Sequence, residues 1–299
     1  MTIRFDGRCA IVTGAGHGLG RCHARALAAR GARVVVNDLG AAVDGSGESR
    51  SAADAVVEEI RALGGEAVAS YGSVSDAAAA AAIVATAEEA FGGVDILVNN
   101  AGILRDKSFA KVSLEDFRRV LAVHFLGSVY VTRAAFPIMK AQRYGRIVMT
   151  TSAAGLYGSF GQTNYGAAKM ALIGLMNCLK LEGAKHNVLV NAIAPVATTR
   201  MTAELLPEAL RPLLRPEFIS AAVAYLCSEQ CTASGDVIQA GAGYYAKVQV
   251  VEARGARFGA DAEVTPEMVA GAYGEITDMA AARPFANAGE ALQGVFGGG

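Results

Sequence analysis

Tryptophan is absent from the 299 residues, proline occurs seven times and histidine only four times. Histidines scattered at 17, 23, 124 and 186 leave little from which to build a metal centre, and none is expected. The five cysteines, Cys9, Cys22, Cys178, Cys227 and Cys231, are an odd number at irregular spacings. Cys227 and Cys231 could share a helix face, but no second Cys or His pair accompanies them, so reduced thiols of a cytosolic chain are expected. An excess of charge of either sign is also lacking: 27 Lys and Arg stand against 28 Asp and Glu, a net of -1. The basic excess that a nucleic-acid partner demands is missing. Mean hydropathy is +0.32, but alanine supplies most of it. The most apolar run, residues 77–87, falls well short of the roughly 20 residues that cross a bilayer. No basic stretch followed by an apolar one opens the chain, so neither a secretory leader nor a membrane span is expected.

What the chain has in quantity is buried-type residue, 53% hydrophobic against 18% charged, enough for one large α/β domain with a modest appendage. Short β-branched runs alternate with Ala-rich helical stretches. Seven segments read as strands: "CAIVTG", "ARVVVND", "EAVASYG", "VDILVNN", "GRIVMTTS", "NVLVNAIAP" and "GDVIQAGAG". Five helical stretches separate them, among them "EDFRRVLAVHFLGSVYVTRAAFPIMKAQ" and "NYGAAKMALIGLMNCLKLEGAKH". This rhythm predicts a Rossmann-type doubly wound parallel sheet of seven strands with helices on both faces. Residues 40–51, "GAAVDGSGESRS", read as a long loop. The alternation stops near Lys247, which divides the chain into a nucleotide-binding domain, 1–246, holding the catalytic site, and an extension, 247–299. The extension is expected to wrap or to form an interface, with a helix starting at "TPEMVAGAYGEI".

The first strand runs into "TGAGHGLGR", with Gly14, Gly16, Gly18 and Gly20 ahead of a helix and His17 and Leu19 between them. Such a turn lets backbone approach a pyrophosphate, while the helix N-terminus offers free N–H groups and a positive dipole end. Asp38 closes the second strand, eighteen residues beyond Gly20. A carboxylate there accepts both ribose hydroxyls of an adenosine and repels a 2′-phosphate, so NAD is expected rather than NADP.

Tyr165 and Lys169 stand four apart on one helical face. A phenol titrating near 10 is a poor base at neutral pH, and a neighbouring ammonium favours its ionised form, each unit of lowering being worth about 1.4 kcal/mol. Beside a nicotinamide, that pair can move the proton of a secondary alcohol. Ser152, at the end of the fifth strand and thirteen residues before Tyr165, is placed to polarise the substrate oxygen.

The spacing of Thr13 to Gly20, "NNAG" at 99–102 and Ser152…Tyr165-x-x-x-Lys169 resemble the short-chain dehydrogenase/reductase family. The resemblance implies that Asn100, with Ala101 and Gly102, meets the adenosine ribose and that Ser73 and Val74 flank the adenine. Gly72 stands where the family often has Asp. "NAIAPVATTRMT" resembles the nicotinamide loop, which implies that Pro195, Ala197, Thr198, Thr199 and Arg200 cover the carboxamide and diphosphate, with Val196 replacing the usual glycine. His124 stands where many members have a water-holding asparagine, and the resemblance implies that it takes that role.

One branch is especially similar over residues 3–245, the dehydrogenase domain of the peroxisomal multifunctional enzymes of type 2. That likeness implies oxidation of a (3R)-3-hydroxyacyl-CoA to the 3-oxoacyl-CoA with NAD. Without the further domains of those enzymes or an "SKL"-like ending, a free-standing cytoplasmic form is expected, and the family resemblance implies a homodimer or homotetramer. Arg105, Lys107, Lys111 and Arg200 are candidates for a basic rim facing CoA. A steroid or other secondary-alcohol dehydrogenase is the alternative, and a non-catalytic NAD-binding scaffold is a more distant one.

Overall fold

The computed structural model describes residues 2–198, 208–259 and 261–296, without the side chains of 209–211. Two compact units emerge, Met1–Lys247 and Val248–Gly299. In the first, β1 (Cys9–Thr13), β2 (Arg33–Asn37), β3 (Glu66–Ser70), β4 (Ile96–Asn99), β5 (Gly145–Thr150), β6 (Val188–Pro195) and β7 (Val237–Gly241) coincide with the seven runs expected. They are joined in the order β3-β2-β1-β4-β5-β6-β7, every ladder between them parallel. β1, β4 and β5 are buried at every position, which explains why they read as continuous apolar runs rather than alternating ones.

Helices cover both faces. α1 (Gly18–Ala28), α2 (Ser51–Ala62) and α8 (Pro216–Leu226) bury Leu27, Ile60 and Val223 in one cluster with Val12, Val34, Val36 and Ile96. α3 (Ala77–Phe91), α5 (Gly127–Gln142) and α7 (Thr163–Gly183) pack on the other face against β1, β4, β5 and β6. The chain leaves β1 towards β2 on one side and resumes at β4 on the other. The crevice of a doubly wound sheet therefore opens at the C-terminal ends of β1 and β4.

Three features depart from expectation. An eighth strand, β8 (Tyr244–Val248), extends the sheet beyond β7. It follows through two residues at positive φ, Ala242 (50°) and Gly243 (77°), and so short a connection returns the chain antiparallel. The expected sheet of seven strands is thus one of eight, mostly parallel. Second, α8 fell outside the sequence reading, although Pro216 at its first turn and an apolar 219/223/226 stripe announce it; α6 (Ala153–Tyr157) is too short to show a period.

Third, the stretch expected as one helix is α4 (Leu114–Leu121), a single π-helical turn (Ala122–Leu126) and then α5. Ser113 starts it by accepting the Asp116 N–H at 3.0 Å. Among the described residues only this run is long and apolar enough to cross a bilayer. It packs against α3 and α7, and no membrane span is indicated. The second unit holds α9 (Pro266–Ile276), whose cap Thr265 accepts the Met268 N–H at 3.3 Å, and α10 (Ala288–Val295).

Candidate active site

The glycine turn is shaped by close approach. Gly14 has φ of 64°, and a Cβ on it would lie 2.7 Å from the Ala101 Cα. A Cβ on Gly20 would lie 2.2 Å from the Gly14 carbonyl oxygen. The Asn100 amide fixes this arrangement by donating to Thr13 O (2.9 Å) and Gly14 O (3.1 Å). The Asn100 and Ala101 N–H groups both reach Thr13 Oγ1. Asn100 therefore braces β4 against the turn, a use that the sequence did not disclose. His17 is the N-cap of α1 without a side-chain bond to it, which leaves the N–H groups of the first turn facing outward.

Asp38 is buried and accepts from Gly16 N (2.7 Å) and Gly40 N (2.6 Å). Each oxygen keeps further acceptor capacity, and Asp38 lines a cavity of about 490 Å3. His17, Gly18, Leu19, Ser73, Val74, Gly102, Pro195 and Ala197 line the same cavity as Gly14, Gly20, Asp38, Asn100 and Ala101. Gly16 contributes through Asp38, and Thr198 is tied by its N–H to Leu214 O at 2.7 Å rather than lining the space. Thr199 and Arg200 lie outside the described residues.

The cavity continues to Ser152, Tyr165, Lys169 and His124. β5 delivers Thr150 and Ser152, and α7 presents Tyr165 and Lys169 from the face that also buries Asn164, Ala168 and Leu172. The Ser152 hydroxyl caps α6 by accepting from Ala154 N at 3.2 Å and lines the same cavity as Tyr165. Lys169 Nζ donates to Thr150 O at 2.6 Å and lies 5.5 Å from the Tyr165 ring centre. Burial pushes the lysine down to about 7. Burial also raises the Tyr165 phenol above its ordinary value, with Ser152 opposing and the Asp106 charge reinforcing the shift. The expectation of an ammonium that draws the phenol down does not describe the chain alone: desolvation outweighs the attraction, and both groups lean to neutral.

His124 sits in the π-helical turn, fully buried, its ring 5.1 Å from that of Tyr165 and edge-on. Nε2 lies 2.8 Å from Ile103 O and 3.0 Å from Ile103 N, and Nδ1 has no hydrogen-bond partner among the described residues. Burial and the nearby Lys169 keep the ring well below its usual range, hence neutral. Thr150 Oγ1 is likewise buried and unpartnered among the described residues. Orphaned polar atoms around a lysine mark a site shaped for a polar guest.

A nicotinamide dinucleotide fits these residues: a glycine turn and helix N-terminus for the diphosphate, a carboxylate for a ribose, and a polar end at Tyr165 and Lys169. Of the residues expected as a CoA rim, Arg200 lies outside the described residues. Arg105 and Lys107 both pair with Asp116, at 2.5 and 3.3 Å, while Lys111 is exposed. Among the described residues no three His, Cys, Asp or Glu side chains converge as metal ligands.

Residues 8–209 match the family model described as short chain dehydrogenase. The chain is 53% identical over 283 residues to the peroxisomal multifunctional enzyme type 2 of Drosophila melanogaster, covering 94% of this chain but 47% of that protein. The solved full-length Drosophila enzyme superposes with a TM-score of 0.83 over 98% of this chain and 49% of that one. A short-chain type dehydrogenase/reductase of Mycobacterium tuberculosis is 50% identical, covering 92% of this chain and 96% of that one. A 7α-hydroxysteroid dehydrogenase solved with NADH and 7-oxo glycochenodeoxycholic acid is similar at 31% identity and a TM-score of 0.73, over 80% of this chain and 95% of that one. The chain thus spans about half of the Drosophila relative and nearly all of the mycobacterial one.

Proposed function

Because the chain belongs to the short-chain dehydrogenase family and is an oxidoreductase, we propose that it oxidises a (3R)-3-hydroxyacyl-CoA to the 3-oxoacyl-CoA with NAD. The observation that carries this reading is the convergence of Ser152, Tyr165 and Lys169 at one end of the cavity whose other end is the glycine turn and Asp38. When bound, the oxidised nicotinamide supplies the hydride acceptor and a positive charge. Ser152 holds the substrate hydroxyl through its own hydroxyl, and Tyr165 takes the hydroxyl proton. Lys169 has N–H groups beyond the one given to Thr150 O with which to steady the phenolate. Likeness to the peroxisomal multifunctional enzymes of type 2, the branch whose resemblance implied this substrate, supports the acyl-CoA class. Likeness to the 7α-hydroxysteroid dehydrogenase favours a second reading, a bulky secondary alcohol without CoA.

Absorbance of reduced NAD followed across CoA thioesters, their free 3-hydroxy acids and sterols separates the two readings. Turnover of the thioesters is expected, and equal efficiency with the free acids overturns the CoA assignment. Cytoplasmic residence belongs to the same proposal, although the Drosophila relative is named as peroxisomal. So does homo-oligomerisation. α7 buries Leu172 and Met176 but leaves Met170 and Leu181 exposed, a face suited to a second copy, and a monomeric mass by light scattering would remove this.

His124 is assigned a supporting role. Nε2 can either donate to Ile103 O or accept from Ile103 N, which leaves Nδ1 as an acceptor or as a donor respectively. It can hold a water that returns protons to Lys169. His124→Ala is expected to lower kcat at least about tenfold, the equivalent of one lost hydrogen bond, with nucleotide affinity retained. Unchanged kcat would refute the role.

A further inference from the structure

Residues 103–107, between β4 and α4, hold two distant parts of the site at once. On one side they grip the loop after β2. Leu104 N donates to Val43 O (2.9 Å) and Arg105 Nε to Asp44 O (2.8 Å), while Arg119 of α4 adds Nη2 to Gly45 O (2.6 Å). Residues 40–51, expected as a plain loop, thus contain a strap buckled at three consecutive carbonyls. Ala41, Ala42 and Gly45 of the strap line the cavity together with Gly14 and Asp38. Asp116 sets the buckle by accepting from Arg105 Nη1 at 2.5 Å.

On the other side the same segment grips the start of α7. Lys107 N donates to Gly161 O (3.0 Å), and Gln162 Nε2 to Asp106 Oδ2 (2.6 Å). Asn164 Nδ2 donates to Arg105 O at 3.0 Å. Asn164 is fully buried, and its Oδ1 accepts the Tyr165 N–H at 2.8 Å. Asparagine is a poor helix former, and burying its amide is tolerable only when both ends are bonded. Here one end is spent on Tyr165 and the other on Arg105, so a continuous path runs from the strap through Arg105 and Asn164 to the tyrosine.

We propose that Arg105 and Asn164 are positioning residues that act through Tyr165, coupling the seating of the strap beside the nucleotide cleft to the placement of the phenol in the cavity. This rests on the dehydrogenase reading above. The coupling matters because a displacement of about 1 Å at a reacting group costs roughly 100-fold in rate.

Two variants test it. Arg105→Met removes the donors to Asp44 and Asp116 at a partly exposed position and leaves the backbone carbonyl that Asn164 uses. Asn164→Asp keeps the acceptor for Tyr165 N and loses the donor to Arg105 O. In the free chain, Arg105→Met is expected to speed amide hydrogen exchange about tenfold both in 40–50 and in 163–167, which its side chain does not touch. Asn164→Asp, which does not line the cavity, is expected to speed release of reduced NAD about tenfold in stopped flow and to shift the pH profile of kcat. Faster exchange confined to 40–50 in the first variant, or wild-type nucleotide release in the second, overturns the coupling. Should wild type oxidise no alcohol, the dehydrogenase reading fails, whereas joint exchange of 40–50 and 163–167 still reports the coupling.

Discussion

Tyr165→Phe is expected to lower kcat by about 1,000-fold, within the range for loss of a positioned acid–base group, while nucleotide affinity stays within about twofold. The substitution removes one oxygen. The ring keeps its edge-on contact with His124, and Asn164 Oδ1 still receives the backbone N–H of residue 165. Only the hydroxyl, which faces the cavity that Ser152 also lines, is lost. The pH dependence carries the sharper signature. Oxidation requires a group that has lost its proton, and in the free chain burial holds the phenol above its ordinary value while bringing Lys169 to about 7. Wild-type kcat should therefore rise with pH, through an apparent value that belongs to the Tyr–Lys pair rather than to either residue. Residual turnover of the Phe variant should lack that rise. A variant within tenfold of wild type, or one that keeps the same limb, would mean that another group takes the proton.

The parallel strands were legible because burial on both faces turns each into an unbroken β-branched run, as in "CAIVT" and "ILVN". β8 was not, since "YYAKV" sits at the sheet edge with much of its surface exposed and follows an alanine at positive φ, where turn chemistry favours Gly or Asn. The π-helical turn at His124 hides within a helical period that one extra residue barely disturbs. Local spacing marked out Gly14 to Gly20 and the pair Tyr165 and Lys169, because a turn and a helix face are written in consecutive residues. Asn164 escaped notice, and Arg105 was read only as part of a basic rim, for the opposite reason. Their bond spans 59 positions, and neither residue type suggests it. Sequence spacing also could not weigh desolvation against attraction, so it anticipated a lowered phenol where burial, in the chain alone, raises it.

Cofactor choice should turn on one charge. Asp38→Asn is expected to erode the preference for NAD over NADP by about 100- to 1,000-fold, read as the ratio of kcat/KM values and as the ratio of dissociation constants for the two reduced nucleotides. A 2′-phosphate placed where the adenosine ribose meets Asp38 brings negative charge within about 4 Å of a carboxylate, an interaction of about 4 kcal/mol per charge pair at an effective dielectric of about 20. At 1.4 kcal/mol per tenfold, that comfortably covers the predicted change. Asparagine keeps the volume and one acceptor, so the Gly16 or Gly40 N–H that Asp38 now receives can still be satisfied, though not both. NAD itself should bind about tenfold more weakly, since charge-assisted hydrogen bonds to a ribose are the stronger kind. The ratio isolates the electrostatic part, because any loosening of the glycine turn weakens both nucleotides alike. A fall in both affinities with the ratio unchanged would show that Asp38 serves the turn alone and that discrimination lies elsewhere in the cavity wall.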